Sequence, residues 1–265
     1  MSEAPPTLEV KVDAGGATGG VVWNAAHVMA DVLADRDRAA GRDGAKQLVL
    51  ELGCGTGYLA LRLASASRRT RVIATDVAER MRLVQYNAGK NQLRHAVRAV
   101  AWDWRADPPS LEWGEITRCV ACEVVYYDEY PEGLAALASA LNVVFERCRP
   151  GIEVLMMVRV RIQEGDVESS AMVPSDSYDE RSSVYTFIET TLPAHGLRAE
   201  RLPLHEHGEK STARGLRFYQ VHPLEPKGGA PSASLPTAPV ISPEERRAVA
   251  EQLHTAWGRV SVLRS

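Results

Sequence analysis

"LVLELGCGTGYLALRLA", residues 48–64, decides the fold. A short apolar run reaches Glu51 and Leu52, breaks into Gly53-x-Gly55-x-Gly57, and gives way at once to a helical pattern. A strand that stops at closely spaced glycines and turns into a helix brings its backbone close to a ligand at the carboxyl end of a parallel sheet. The loop lacks the Gly-Lys-Ser/Thr ending of a triphosphate loop, and its spacing differs from the dinucleotide pattern G-x-G-x-x-G. At 19 residues beyond Gly57, the next strand-like run, "RVIATD", ends in Asp76. An acid at the tip of the second strand is placed to bind both hydroxyls of a ribose. Glycine loop, preceding Glu51 and Asp76 in one βαβ unit point to a nucleoside cofactor.

Outward from this unit, strand-like and helix-like segments alternate from residue 22 to residue 192. "VVWNAAHVMADVLAD" has apolar residues at helical spacing, and "AERMRLVQYNAGKNQ" is a helix with a polar face. The strands "AVRAVAW" and "RCVACEVVY", the helix "GLAALASALNVVFERC" and the strand "IEVLMMVRVRI" follow. The alternation predicts an α/β fold, a doubly wound, Rossmann-like parallel sheet with helices on both faces in three αβα layers. After the helix "VYTFIETTLPAHG" come "LRAERLPLHE" and "RGLRFYQVHPL" with no helix between them, which predicts an antiparallel hairpin at one edge.

Residues 223–241 are rich in Pro, Ala, Ser and Gly and read as a flexible linker. Residues 242–265 open with a capping box (Ser242 as N-cap, Pro243, Glu245) and carry Val249, Leu253, Trp257 and Val260 on one helical face. This amphipathic helix is expected to dock in cis or on a partner.

The 265-residue chain is 45% hydrophobic and 25% charged, the balance of a globular protein, and its net charge of −3 makes nucleic acid an unexpected partner. No apolar run reaches the length of a membrane span, and "MSEAPPTLEV" lacks the basic start and apolar core of a secretory signal. The expected location is the cytoplasm, or also the nucleus. Cys119 and Cys122 form C-x-x-C, but positions i and i+3 of a strand face opposite ways, so no metal is expected there. His205 and His207 likewise alternate faces, in a solvated turn.

"VLELGCGTG" resembles motif I of the class I, seven-strand S-adenosylmethionine-dependent methyltransferases. "GGVVWNAAHVMADVL", "QYNAGKNQ" and "CEVVYYDEY" resemble, in the right order, three further segments of the methyltransferase-like 21 (family 16) group of protein lysine methyltransferases. The resemblance covers residues 18–222, after an N-terminal segment 1–17. It implies sheet order 3-2-1-4-5-7-6 with strand 7 antiparallel, and S-adenosylmethionine as cofactor. It places Glu51, Gly53, Gly55 and Gly57 at the methionine moiety, Asp76 at the ribose, and Trp23 over the methionine or ribose part, with Gly19 and Gly20 shaping the approach. Asp103 is assigned to the adenine amino group, and Trp104 to the family's tryptophan, with Trp102 the competing choice. Asn87 is either a helix residue on the adenosine side or a surface Asn.

On the acceptor side, Glu123 and Tyr126 are spaced to serve as a strand-end acid and the wall of a lysine channel. Tyr127, Asp128, Glu129 and Tyr130 would extend an acidic, aromatic entrance. The family pattern has Asp where this chain has Glu123, and one extra methylene moves the carboxylate outward by roughly 1.5 Å. The expected activity is methylation of a lysine in a cytosolic non-histone protein, of the elongation-factor or chaperone type, by a monomeric enzyme without membrane partners. Histidine or small-molecule amine methylation, and a scaffold role without catalysis, are the alternatives.

Overall fold

The computed structural model describes residues 7–13, 18–125, 131–160, 183–204 and 215–224. Helix α1 (Asn24–Ala39) precedes β1 (Gln47–Leu52), α2 (Tyr58–Ala66), β2 (Thr70–Asp76), α3 (Ala78–Lys90) and β3 (Val97–Ala101). There follow β4 (Arg118–Cys122), α4 (Pro131–Arg147) and β5 (Glu153–Arg159). A helical stretch, α5, runs as Ser183–Tyr185, a π-helical turn Thr186–Thr191, and Leu192–Ala194, and β6 (Leu197–Leu202) and β7 (Leu216–Pro223) close the fold. Pro223, expected to open the linker, instead closes β7, while residues 225–265 of the expected linker and helix lie outside the described residues, as do His205 and His207.

The sheet has seven strands in the order β3-β2-β1-β4-β5-β7-β6. The first five pair in parallel, while β7 is antiparallel to both β5 and β6. This is the architecture expected from the sequence, edge hairpin included. Alternation along the strands sorts the side chains into two cores. Val49, Val72, Val120 and Leu155 face α1, α2 and α3, whereas Leu50, Ile73, Cys119 and Met156 face α4 and α5. Crossovers therefore leave on opposite faces either side of the β1–β4 pair, and the crevice at their carboxyl ends is the topological switch point where such sheets bind ligands. Cys119 and Cys122 sit on opposite cores, as period-2 alternation requires, and no metal-holding cluster occurs among the described residues.

Strand β4 ends sooner than its apolar run implied. Pairing with β5 stops at Cys122, because Glu123 takes a left-handed backbone conformation, φ 56°. Its N–H still donates to the Met157 carbonyl, at 2.8 Å, so the chain leaves the sheet by a sharp turn anchored to β5.

At the opposite, amino ends of the strands a buried ion cluster fastens α1 to β4 and β5. The guanidinium of Arg118, which is 4% exposed, donates to Asp37 at 2.6 Å and to Glu153 at 2.7 Å, and Arg36 reaches Glu153 at 3.0 Å. Beside it opens a groove of about 1110 Å³ edged by Lys46, Arg68, Arg69, Arg71 and Arg94. Cations here complement the carbonyl ends of α2 and α3.

Candidate functional site

Gly53, Gly55 and Gly57 all take positive φ (69°, 54° and 78°). Each is also crowded. A Cβ on Gly53 would stand 2.6 Å from Val124 Cγ1, one on Gly55 2.8 Å from the Gly19 carbonyl oxygen, and one on Gly57 2.9 Å from Val84 Cγ1. The loop is thus packed by the turn after β4, by the segment before α1, and by α3, and only glycine fits both the dihedrals and the space.

Two carboxylates flank the loop. Glu51 is 2% exposed, and its Oε2 is buried with no hydrogen-bond partner. Burial pushes its carboxyl up to about 8; the Ala60 backbone N–H opposes this and the nearby Asp76 charge adds to it. Asp76 is held by two backbone groups, accepting from Gly55 N–H at Oδ2 and from Val77 N–H at Oδ1, both at 2.8 Å. Burial raises its pKa although those two N–H bonds favour the anion. Each Asp76 oxygen keeps a second lone pair, so the carboxylate is aimed but not saturated.

The two tryptophans separate clearly. Trp102 is 3% exposed and packs edge-on against Trp113, ring centroids 5.8 Å apart, inside the core under α4. Trp104 lies at the loop: its Cζ2 and Cη2 are 3.3 and 3.4 Å from the place a Gly53 Cβ would take. Asp103 is engaged by Arg105, whose Nε and Nη2 donate to its two oxygens at 2.9 and 2.7 Å, so any group it binds must share it with that guanidinium. Trp23 precedes α1 as its N-cap residue, with 38% of its surface exposed.

On the other side of the loop Glu123 is 6% exposed, and Val124 beside it rests on Gly53. A non-glycine residue in the left-handed region costs about 1 kcal/mol or more and concentrates at functional sites. Tyr126 and residues 127–130 lie outside the described residues. Burial holds the Cys54 and Cys122 thiols well above their ordinary pKa, so neither is a thiolate nucleophile.

A family model described as lysine methyltransferase matches residues 2–169. The chain belongs to the lysine methyltransferase family. Among solved structures, the methyltransferase is similar to an S-adenosylmethionine-dependent methyltransferase from Clostridium acetobutylicum, at 13% identity over 75% of this chain and 92% of that one, TM-score 0.52. It is also similar to the glycopeptide N-methyltransferase MtfA complexed with sinefungin, at 15% identity over 83% of this chain and 92% of that one, TM-score 0.52. At these identities the likeness shows the shared fold.

The methyl donor of this family is S-adenosylmethionine, and the residues present fit it. A cationic amino acid moiety suits the unpartnered Oε2 of Glu51, and a ribose suits the aimed Asp76.

Of the two readings left open for Asn87, its full burial removes the surface one. One feature was missed in the sequence: residues 7–13 run along α3 as part of the domain. The signal for it was present in "LEVKV", whose Leu8 and Val10 pack on the core while Glu9 and Lys11 are exposed.

Proposed function

We propose that this methyltransferase transfers the methyl group of S-adenosylmethionine to the ε-amine of a lysine in a protein, acting as a cytoplasmic monomer. The substrate type favoured by the sequence resemblance is a non-histone protein such as an elongation factor or chaperone. One observation carries the reading: in a chain matched by a lysine methyltransferase family model, the Glu123–Val124 turn stands directly on the donor loop at Gly53. Donor loop and acceptor acid then share one crevice.

The bound donor supplies an activated methyl group; the chain's residues supply position and environment. Glu51, Gly53, Gly55, Gly57 and Asp76 hold the donor, with Trp104, Trp23 and Asp103 along its adenosine and methionine rims. A lysine ammonium, pKa ~10.4 in water, must lose its proton before its nitrogen can attack. Burial in a narrow crevice lowers that pKa, and the proton leaves to solvent. Glu123 orients the nitrogen so that its lone pair points toward the methyl group, and Tyr126, outside the described residues, is the residue proposed from the sequence for the channel wall.

The test is incubation with methyl-labelled donor and an extract from methylation-deficient cells, followed by mass spectrometry of the labelled band. A label on a protein lysine is the expected result. A label on histidine or in the small-molecule fraction refutes the lysine assignment while leaving the methyltransferase assignment in place.

A further inference from the structure

Asn87 and Asn91, four residues apart on α3, hold an extended segment of the chain by its backbone. Asn87 Oδ1 accepts from Lys11 N–H at 2.9 Å, and its Nδ2 donates to the Lys11 carbonyl at 3.1 Å. Asn91 repeats the pattern two residues earlier, accepting from Glu9 N–H at 3.0 Å and donating to the Glu9 carbonyl at 2.8 Å. The periods explain the fit. Four residues of helix rise about 6.0 Å, and two residues of strand rise about 6.6–6.8 Å. Asparagines at i and i+4 therefore meet alternate residues of an antiparallel extended chain. Each side-chain amide imitates the donor–acceptor pair of a neighbouring strand.

Asn91 also donates from Nδ2 to the Asn87 carbonyl of its own helix, at 2.8 Å, whereas Asn87 reaches outside the helix. Its second Nδ2 hydrogen goes to the carbonyl of Thr56, inside the glycine loop, at 2.9 Å. Asn87 is 0% and Thr56 2% exposed, so water cannot replace the contact between them. A second path leads to the same loop through the held segment. Asp13 N–H donates to the Gly20 carbonyl at 2.7 Å, Asp13 pairs with Arg80 of α3 at 3.6 Å, and Gly19 lies against Gly55. The contacts Asn87–Lys11, Asp13–Gly20, Gly19–Gly55 and Thr56–Asn87 form a closed circuit around the donor loop.

We infer that Asn87 is a positioning residue for S-adenosylmethionine, and that residues 8–13 are a working wall of the donor site, clamped by Asn87 and Asn91 so that Gly20 is held at Asp13 and Gly19 bears on the glycine loop. The inference rests on the donor reading of that loop. The clamp and the donor favour the same loop conformation, so their stabilities are linked: releasing one weakens the other, and filling one tightens the other. Asp cannot replace Asn87, because a carboxylate would face the Lys11 and Thr56 carbonyls with no proton to give.

The test begins with unaltered full-length protein. Calorimetry with S-adenosylmethionine reports on the donor reading by itself, and absence of binding there refutes that reading rather than the clamp. Given binding, hydrogen exchange is followed at the Glu9 and Lys11 amides. Saturating donor is expected to slow both by tenfold or more; unchanged exchange overturns the proposal. Two variants extend the test from opposite sides, Asn87→Ala on the helix and Val10→Asp on the segment. Both are expected to speed exchange at residues 9–11 and to weaken donor affinity by about tenfold or more, raising KM for the donor more than they lower kcat. Asn91→Ala, remote from Thr56, is expected to give a smaller effect of the same sign. If Asn87→Ala fails to fold, Val10→Asp decides: fast exchange at residues 9–11 with unchanged donor affinity refutes the wall.

Discussion

Glu51 makes a measurable demand on protons when the donor binds. Burial holds its carboxyl up at about 8, so at pH 7 roughly nine in ten molecules carry Glu51 protonated. A cationic group brought against the unpartnered Oε2 favours the anion and draws the pKa back toward the ordinary carboxylate range. Donor binding at pH 7 should then release roughly 0.9 proton per site from this residue. Affinity should rise with pH by up to about tenfold per unit below pH 8 and level off above it. The assay is titration calorimetry at pH 7 in buffers of differing protonation enthalpy, where the slope of observed heat against buffer enthalpy counts protons. Glu51→Gln is the control, since it keeps the shape and cannot titrate; the difference between the two slopes belongs to Glu51. Equal slopes, or an affinity flat from pH 6 to 8, would refute the reasoning. The ligand-free protein gives the same test from its stability. A carboxyl whose folded pKa lies above its unfolded value costs stability as pH rises, here from about 4 to about 8, and Glu51→Gln should remove that decline.

Gly55→Ala must place a methyl 2.8 Å from the Gly19 carbonyl oxygen at φ 54°, so donor affinity should fall on the order of a hundredfold in calorimetry while far-ultraviolet circular dichroism stays unchanged. Arg118→Ala strands Asp37 and Glu153 without their buried partner and should cost about 3–5 kcal/mol in urea denaturation. Burial pushes those two carboxyls up, but the Arg118 hydrogen bonds and charge outweigh it and hold both below the usual range. Their contribution is present above about pH 4 and lost as pH falls through the lowered values, so Arg118→Ala should flatten the acid limb of the stability profile. Glu123→Gly relieves the left-handed strain that Glu123→Ala retains, so the Gly variant should melt higher by a few degrees, about 1 kcal/mol. Methyl transfer should be lost in both, and equal melting would remove the strain argument.

The sheet was legible because its signals are local. Apolar runs of five to seven residues bounded by turn residues mark strands, the absence of a helix before the last strand marks the antiparallel edge, and G-x-G-x-G names the end of β1. Glu123 was legible as a strand-end acid, but the turn itself was not, since Val124 and Val125 continue the apolar run and what stops the strand is a dihedral at Glu123 rather than a breaker residue. The choice between the two readings of Asn87 stayed open for a different reason. A polar residue on a helix normally faces water, and nothing local says that a chain from the far N-terminus will cover it. That burial is set by contacts 76 residues apart in sequence. Trp102 and Trp104 stand two apart just after β3, and three-dimensional packing separates the core ring from the one at the loop.

Every partner of the Asn87 side chain is main chain: the Lys11 N–H, the Lys11 carbonyl and the Thr56 carbonyl. Main-chain atoms do not mutate. A change at position 87 therefore has no second-site remedy at position 11 or 56, as a lost salt bridge or a core cavity usually has. Among related sequences this predicts an asymmetric record. Positions 87 and 91 should stay asparagine while positions 9 and 11 drift freely, with no covariation between the two sets. Correlated-substitution methods would then be blind to this contact, although it joins residues 9–11 to the donor loop.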